Sequence, residues 1–212
     1  MLVGRASSIT PLCANFGYSR GTPIDRHYIE GFLAKHAQDV RERVLEIKDD
    51  NYSRRFGSGR ITRQDILDIN PANSRATIVG DLALEGVLPK ADFDCILLTQ
   101  TLQFLFDLPA AIAQLHAALA PDGVLLITAP GISPLERRQS GADWCWSLTE
   151  ASLRRLLLAH FEPRNVEVSS YGNLFAATAF LHGAALEEVP KAKLEPIDPA
   201  YPIVLAARAK LS

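Results

Sequence analysis

Apolar residues along this chain follow two rhythms. In TPIDRHYIEGFLAKHAQDV (22–40), Ile24, Tyr28, Ile29, Phe32 and Leu33 recur at helical spacing, which puts them on one helix face. Thr22 can cap that helix, Pro23 suits its first position, and Asp25 falls in the first turn, where the dipole favours an anion. The second rhythm is the short apolar run: VLEI (44–47), RITRQDILDI (60–69), ATIVGDL (76–82), DFDCILLTQ (92–100) and GVLLITAP (123–130) read as five strands. Asp107 and Pro109 open a helix with Leu108, Ile112, Leu115 and Leu119 on one side. It ends at Pro121-Asp122-Gly123, a turn in which proline presets φ and glycine permits a positive φ. SLTE (147–150) has capping-box form ahead of Leu153, Leu156 and Leu157. RNVEVSSYG (164–172) alternates like a half-exposed strand, and NLFAATAFLHG (173–183) reads as a helix closed by Gly183. A loop with Pro190, Pro196, Pro199 and Pro202 leads to a last strand, PIVLAARA (202–209). Residues 1–21 show little periodicity and read as a loop. Seven strands separated by amphipathic helices predict an α/β fold, a mostly parallel seven-stranded sheet with helices on both faces.

Composition narrows the function without naming it. The 212 residues suffice for one α/β domain with a sizeable core and are short for two. The formal net charge is −2 and no long like-charge run occurs, so neither nucleic acid nor an anionic membrane is an expected partner. Cys13, Cys95 and Cys145 are odd in number and widely spaced, which fits neither a disulfide framework nor a CxxC metal or redox pair. No metal site and a reducing cytoplasm follow as expectations. The N-terminus lacks a continuous apolar signal-type run, and no apolar run approaches the ~20 residues that span a bilayer.

In parallel sheets ligands bind outside the carboxyl ends of the strands, where strand order switches. The residues just after each strand are therefore the candidates: Glu46 to Asp50, Asp65, Asp81 and Leu82, and Thr99 to Gln103. VLEI runs into Lys48-Asp49-Asp50-Asn51 with no glycine before Gly57, although glycine is the residue that lets a backbone approach a ligand closely. Thr99, Gln100, Thr101 and Gln103 suit a pocket wall, or ordinary solvation of a strand end. Trp144 and Trp146 could stack on a sugar or aromatic ring, or cover a core edge. Tyr171 and Asn173 are further pocket candidates, whereas His116 and His160 read as structural. There is no P-loop and no G-x-G-x-x-G.

Taken together, these positions resemble the class I S-adenosylmethionine-dependent methyltransferases, in particular the small type 11 domains, and the resemblance spans residues 44–130. VLEI resembles motif I, ATIVGDL the third strand, DFDCILLTQTLQFL the fourth, and LHAALAPDGVLLITAP the "leucine, proline, glycine, then apolar strand" signature. A weaker kinship is to methyltransferase-like proteins found beside glycosyltransferases in polysaccharide pathways. The resemblance implies a Rossmann-like class I methyltransferase fold in one domain. Residues 1–43 would form an N-terminal segment and lid helix, 44–130 the cofactor-binding half, and 131–212 the substrate-side loops and C-terminal strands. It implies S-adenosylmethionine as cofactor, with Glu46 near the methionyl amino group, Asp65 on the ribose, Asp81 and Leu82 by the adenine, and Thr99 and Gln100 at the exit into the active site. His27 is the histidine favoured as base; Arg26 would meet the cofactor or an acidic substrate. Tyr28, Gln103, Trp144 and Trp146 would face the substrate. The departure is motif I, whose glycine loop is replaced by Lys48 to Asn51 and followed by roughly one helical turn fewer residues. Two functions are therefore carried forward. One is methyl transfer to a small molecule or carbohydrate, at oxygen by family expectation; the other is a non-catalytic or repurposed scaffold partnering a biosynthetic enzyme. A protein partner or homodimer stays open.

Overall fold

The structure, a computed structural model, describes residues 8–136 and 143–212. Its strands are β1 (Glu42–Ile47), β2 (Ile61–Asp68), β3 (Ile78–Val79), β4 (Phe93–Thr99), β5 (Leu119–Pro130), β6 (Val166–Tyr171) and β7 (Val204–Lys210). Its α-helices are α1 (Ile24–Lys35), α2 (Asn51–Gly57), α3 (Leu108–Ala118), α4 (Glu150–Leu158) and α5 (Leu174–Leu181). The strands form one seven-stranded sheet in the order β3-β2-β1-β4-β5-β7-β6. The pairs from β3 to β5 are parallel, and β7 runs antiparallel to both its neighbours.

Continuous apolar strands arise because successive side chains enter opposite cores. Leu45, Ile96, Leu98, Leu125, Ile127 and Leu205 pack with α3 and α4. Their neighbours Val44, Cys95, Leu97, Val124, Leu126 and Val204 pack with α1 and α5. A one-residue slip in any of these strands would exchange the two sets, so the register is strongly specified. Among the described residues no helix is long and apolar enough to cross a membrane.

Several local readings shift on folding. Thr22 does not cap α1; its N–H and hydroxyl donate to the Glu187 carboxylate at 2.9 and 2.7 Å, and Pro23 holds the cap position. The capping box of α4 is formed by Thr149 and Ser152, two residues beyond the expected Ser147 and Glu150. The third strand shrinks to two residues. The turn before the fifth strand is absorbed into β5, and its left-handed residue is Asp122, with φ 64°. Gly123 is needed for space instead: a Cβ there would lie 2.7 Å from the Ala120 carbonyl oxygen and 2.8 Å from that of Phe93. The stretch after VLEI, expected as a polar loop, contains the seven-residue helix α2.

Two histidines, His36 at the end of α1 and His116 in α3 on the opposite face of the sheet, make stability depend on pH. Burial, with Lys35 adding and Asp39 opposing, pushes the His36 imidazole below its ordinary 6.5. Burial and then His160 do the same for His116, whose ring meets Phe161 edge-on at 4.9 Å. As pH falls below about 6.5 the unfolded chain takes up protons first. The stabilisation is thus present above that pH and lost toward the lower folded values. The unfolding free energy should decline between about pH 7 and 5, by at most about 1.4 kcal/mol per pH unit per histidine, and Tm should fall with it. His36→Asn with His116→Asn should flatten that slope in thermal melts across the range; an unchanged slope would assign it to other groups.

Candidate functional site

Strand order reverses between β1 and β4, from which the sheet winds outward both ways. A cleft of about 1000 Å³ opens at the carboxyl ends of the strands there, at the upper end of small-molecule sites, which run ~300–1,000 Å³. Lys48 and Asp49 leave β1 into it, Asp68 and Asn70 leave β2, Asp81 and Leu82 follow β3, and Thr99 and Gln100 end β4. Tyr52 and Arg55 of α2 close one side, and Arg26 and Glu30 of α1 with Tyr18 of the N-terminal segment close another.

Both strands at the switch end in a left-handed residue that is not glycine: Lys48 has φ 72° and Gln100 φ 49°. Each is pinned across the sheet. The Lys48 N–H donates to Leu67 O at 2.8 Å, and that of Gln100 to Thr128 O at 2.7 Å. Such a conformation costs an L-residue ~1–2 kcal/mol, and strain of this kind clusters at ligand sites. Lys48→Gly should therefore raise stability by about 0.5–1 kcal/mol, net of glycine's entropy cost. Urea denaturation would read the gain; a loss would mean that Lys48 contacts outweigh its strain.

The missing glycines are compensated by a carboxylate. Glu46 is 1% exposed and reaches over the start of α2. Its Oε1 accepts from Tyr52 N–H at 3.1 Å and its Oε2 from Ser53 N–H at 2.7 Å. These are among the first amides of a helix, which have no intrahelical acceptor. Burial raises the Glu46 carboxyl, while the Ser53 and Tyr52 bonds pull it back. Asp50 precedes the helix without capping it; its carboxylate instead accepts from Arg54 Nε at 2.5 Å and pairs with Arg75. The loop after β2 thereby clamps the loop after β1. Asn73 completes the clamp, its Nδ2 donating to Lys48 O at 2.8 Å and to Asp68 Oδ2 at 2.7 Å.

Acidic groups outnumber basic ones on the wall: Glu30, Glu46, Asp49, Asp68, Asp81 and Glu136 face Arg26, Lys48 and Arg55. Arg55 pairs with Glu30 at 2.8 Å. Arg26 donates to the Tyr18 hydroxyl at 2.7 Å, and among the described residues no carboxylate lies within ion-pair distance of it. Its neighbour Asp25 is buried with Oδ1 unpaired, and burial, opposed by Arg26, pushes its carboxyl up. Arg26 is thus a cleft-side cation whose nearest carboxyl, Asp25, is buried and pushed toward its neutral form.

The fold brings Arg26, Glu46, Lys48, Asp49, Asp81, Leu82, Thr99, Gln100 and Thr101 to this cleft and places the other sequence candidates elsewhere. Asp65 lies inside β2, 3% exposed, bound by Arg43 at 3.0 Å and Thr77 at 2.9 Å. The acidic residue at the strand end is Asp68, three positions on. His27 lies beside Glu195, 3.5 Å away, outside the cleft lining. Tyr28 is buried and donates to Leu194 O at 2.9 Å. The Trp146 indole N–H donates to Leu105 O at 2.9 Å, and its ring lines a separate apolar groove between α3 and α4. Tyr171 packs toward Tyr28, and Asn173 caps α5. Gln103 and Trp144 are not among the residues that line the cleft. Tyr18, Tyr52 and Arg55 had no sequence signal; the i, i+4 pair of Arg26 and Glu30 on α1 could have supplied one for that helix.

A family model described as a methyltransferase domain matches residues 11–166. No curated protein matches the sequence. Among solved structures, a SAM-dependent methyltransferase from Archaeoglobus fulgidus superposes with a TM-score of 0.58 at 12% identity, covering 87% of this chain and 94% of that one. The N-methyltransferase NodS from Bradyrhizobium japonicum WM9, in complex with S-adenosyl-L-homocysteine, gives 0.55 at 15%, covering 99% and 96%. The [4+2]-cyclase SpnF gives 0.58 at 14%, covering 99% and 89%. At these identities the likeness is one of fold.

Proposed function

Because the chain belongs to the methyltransferase-domain family, we propose that it transfers a methyl group from S-adenosylmethionine to an oxygen of a small molecule or carbohydrate. The observation that carries this reading is the cleft at the β1–β4 switch, with a carboxylate at or just past the end of β1, β2 and β3: Asp49, Asp68 and Asp81. The residues fit the cofactor in charge as well as size. A sulfonium, an ammonium and one carboxylate carry a net positive charge, and the wall carries an acidic excess. Asp81 would accept from the adenine amino group beside Leu82, and Asp68 would take the ribose hydroxyls. Asp49 would face the ammonium, and Arg26 would pair with the carboxylate. Glu46 acts one step back, holding the start of α2. The bound cofactor would supply an electrophilic methyl group. The protein's part is to align the acceptor oxygen with it, which carries most of such a transfer. Among the described residues no histidine lines the cleft, so a wall carboxylate such as Glu30 is left to take the proton. The free thiols of Cys13, Cys95 and Cys145 support a reducing, cytoplasmic setting.

The second reading, a repurposed scaffold, draws on the clamp. Asn73 already donates to Asp68, and backbone amides with Cβ-bearing residues replace the glycine loop. Calorimetric titration with S-adenosylmethionine and S-adenosylhomocysteine separates the two. Saturable binding, weakened by about 1–3 kcal/mol in Asp81→Ala through loss of a hydrogen-bond acceptor, supports the methyltransferase. No heat at millimolar cofactor favours the scaffold.

A further inference from the structure

One side chain ties the carboxyl end of β1 to that of β2. Asn73 lies in the loop between β2 and β3, and every polar atom of its amide is committed. Its Nδ2 donates to Lys48 O at 2.8 Å and to Asp68 Oδ2 at 2.7 Å, and its Oδ1 accepts from Arg75 N–H at 3.1 Å. The amide orientation follows from these partners, because a flipped amide would set its oxygen against a carbonyl and a carboxylate. The backbone beneath is fixed as well: Asn73 N–H donates to Asn70 O at 3.1 Å, and Asn73 O accepts from Ala76 N–H at 3.0 Å. Asp68, the last residue of β2, is also held on its other oxygen, where Oδ1 accepts from Asn70 N–H at 3.0 Å. Asp68 and Lys48 line the cleft; Asn73 does not, and acts through them.

An ionised carboxylate offers about four acceptor positions, two on each oxygen. The loop occupies one position on each oxygen of Asp68. One is left on each, which is what a vicinal diol requires. The same two bonds fix the plane of the carboxylate, whose terminal torsion is otherwise broad. We propose that Asn73 is a positioning residue of the cofactor site, which orients the Asp68 carboxylate for the two ribose hydroxyls and ties it to the Lys48–Asp49 loop. This rests on the S-adenosylmethionine reading of the cleft, with Asp68 as the ribose acceptor. A glycine loop brings its own backbone close to a ligand. Here Lys48 carries a side chain at φ 72°, and a side-chain amide from the next loop holds its carbonyl in place. A group oriented before its ligand arrives binds more tightly, because less ordering remains to be done on binding.

The preference for adenosine over 2′,3′-dideoxyadenosine reads the diol contact alone, and calorimetric titration of the full chain measures it. The parent should prefer adenosine by about tenfold or more, as for a hydrogen bond to a charged group. Asn73→Ala should cut that preference about threefold or more, and Asp68→Ala should abolish it. Adding Asn73→Ala to Asp68→Ala should then change it no further. Arg75→Met breaks the pair with Asp50 in the same loop without touching Asp68, and should keep the parent's preference. A purely structural role would weaken both nucleosides together, and urea unfolding of each variant keeps stability apart from preference. Should Asn73→Ala not fold, Asn73→Ser, which is too short to hold both partners, takes its place. An unchanged preference in the Asn73 variant, or an equal loss in Arg75→Met, overturns the proposal and leaves the cofactor reading standing. A parent that binds S-adenosylhomocysteine without preferring adenosine removes Asp68 from the ribose and overturns the proposal too. No binding of S-adenosylhomocysteine or of either nucleoside sinks the cofactor reading itself, and this proposal with it.

Discussion

Arg26→Met is expected to weaken S-adenosylhomocysteine binding by about 10- to 150-fold while leaving adenosine binding within about twofold. A hydrogen-bonded charge pair contributes ~1.5–3 kcal/mol, and each ~1.4 kcal/mol is a factor of ten in affinity. Methionine keeps most of the side chain's apolar length and removes only the guanidinium. Adenosine has no carboxylate, so it reports on the Asp68 and Asp81 end alone. The prediction rests on Arg26 being a cleft-side cation whose hydrogen bond goes to the Tyr18 hydroxyl, beside a carboxyl that burial pushes toward its neutral form. Lys48 is the other cation at the methionyl end, but it is exposed, and Lys48→Met should cost far less. Titration of both variants with both ligands decides the matter. Equal losses for adenosine and S-adenosylhomocysteine in Arg26→Met would mean that the arginine shapes the fold and does not hold the carboxylate.

Glu46→Ala should destabilise the protein by about 2–3 kcal/mol. The deletion strands the Tyr52 and Ser53 amides and opens a space at the carboxyl end of β1. Bonds from N–H groups to a carboxylate are worth ~1.5–3 kcal/mol each. Their sum is reduced because the same burial that raises the Glu46 carboxyl also penalises the charged group, a penalty the alanine variant no longer carries. For a chain of this size the loss corresponds to roughly 4–12 °C in Tm. Glu46→Gln retains one acceptor and should lose about half as much. Because Tyr52 and Arg55 of α2 line the cleft, cofactor affinity should fall with the stability in Glu46→Ala. Urea unfolding followed by circular dichroism measures the first effect and titration the second. A Glu46→Ala variant as stable as the parent would show that α2 stands without its carboxylate cap.

Where the sequence alone was informative, the cause was local. The apolar runs of β1, β4 and β5 mark strands buried on both faces, because successive side chains must point to opposite cores. Asp107 caps α3 as its position suggests, its Oδ1 accepting from Ala110 N–H at 3.0 Å. Asp81 and Gln100 reach the cleft because they stand one or two residues past a strand end, and that end is where a parallel sheet presents its ligands. VLEI running into a loop without glycine marks the departure from a standard cofactor turn through residue identity alone, since every side chain there carries a Cβ.

Other features follow from partners that periodicity does not reveal. A seven-residue helix is too short to stand by local propensity; α2 exists because Glu46 and the Asp50–Arg75 pair hold its start. Asp65 and Asp68 look alike in RITRQDILDI, and only pairing with Arg43, 22 residues earlier, removes Asp65 from the cleft. Tyr28 looks like a lid residue until its hydroxyl finds Leu194 O, 166 residues away. By itself the sequence determined the strands, the two-faced sheet and the edge at which a ligand site must lie, because each depends on the alternation of adjacent side chains. Which carboxylates face that site, how a loop without glycine is held, and which cation is left uncommitted were decided by tertiary structure, because hydrogen bonds and ion pairs depend on distances in space between residues far apart in the chain.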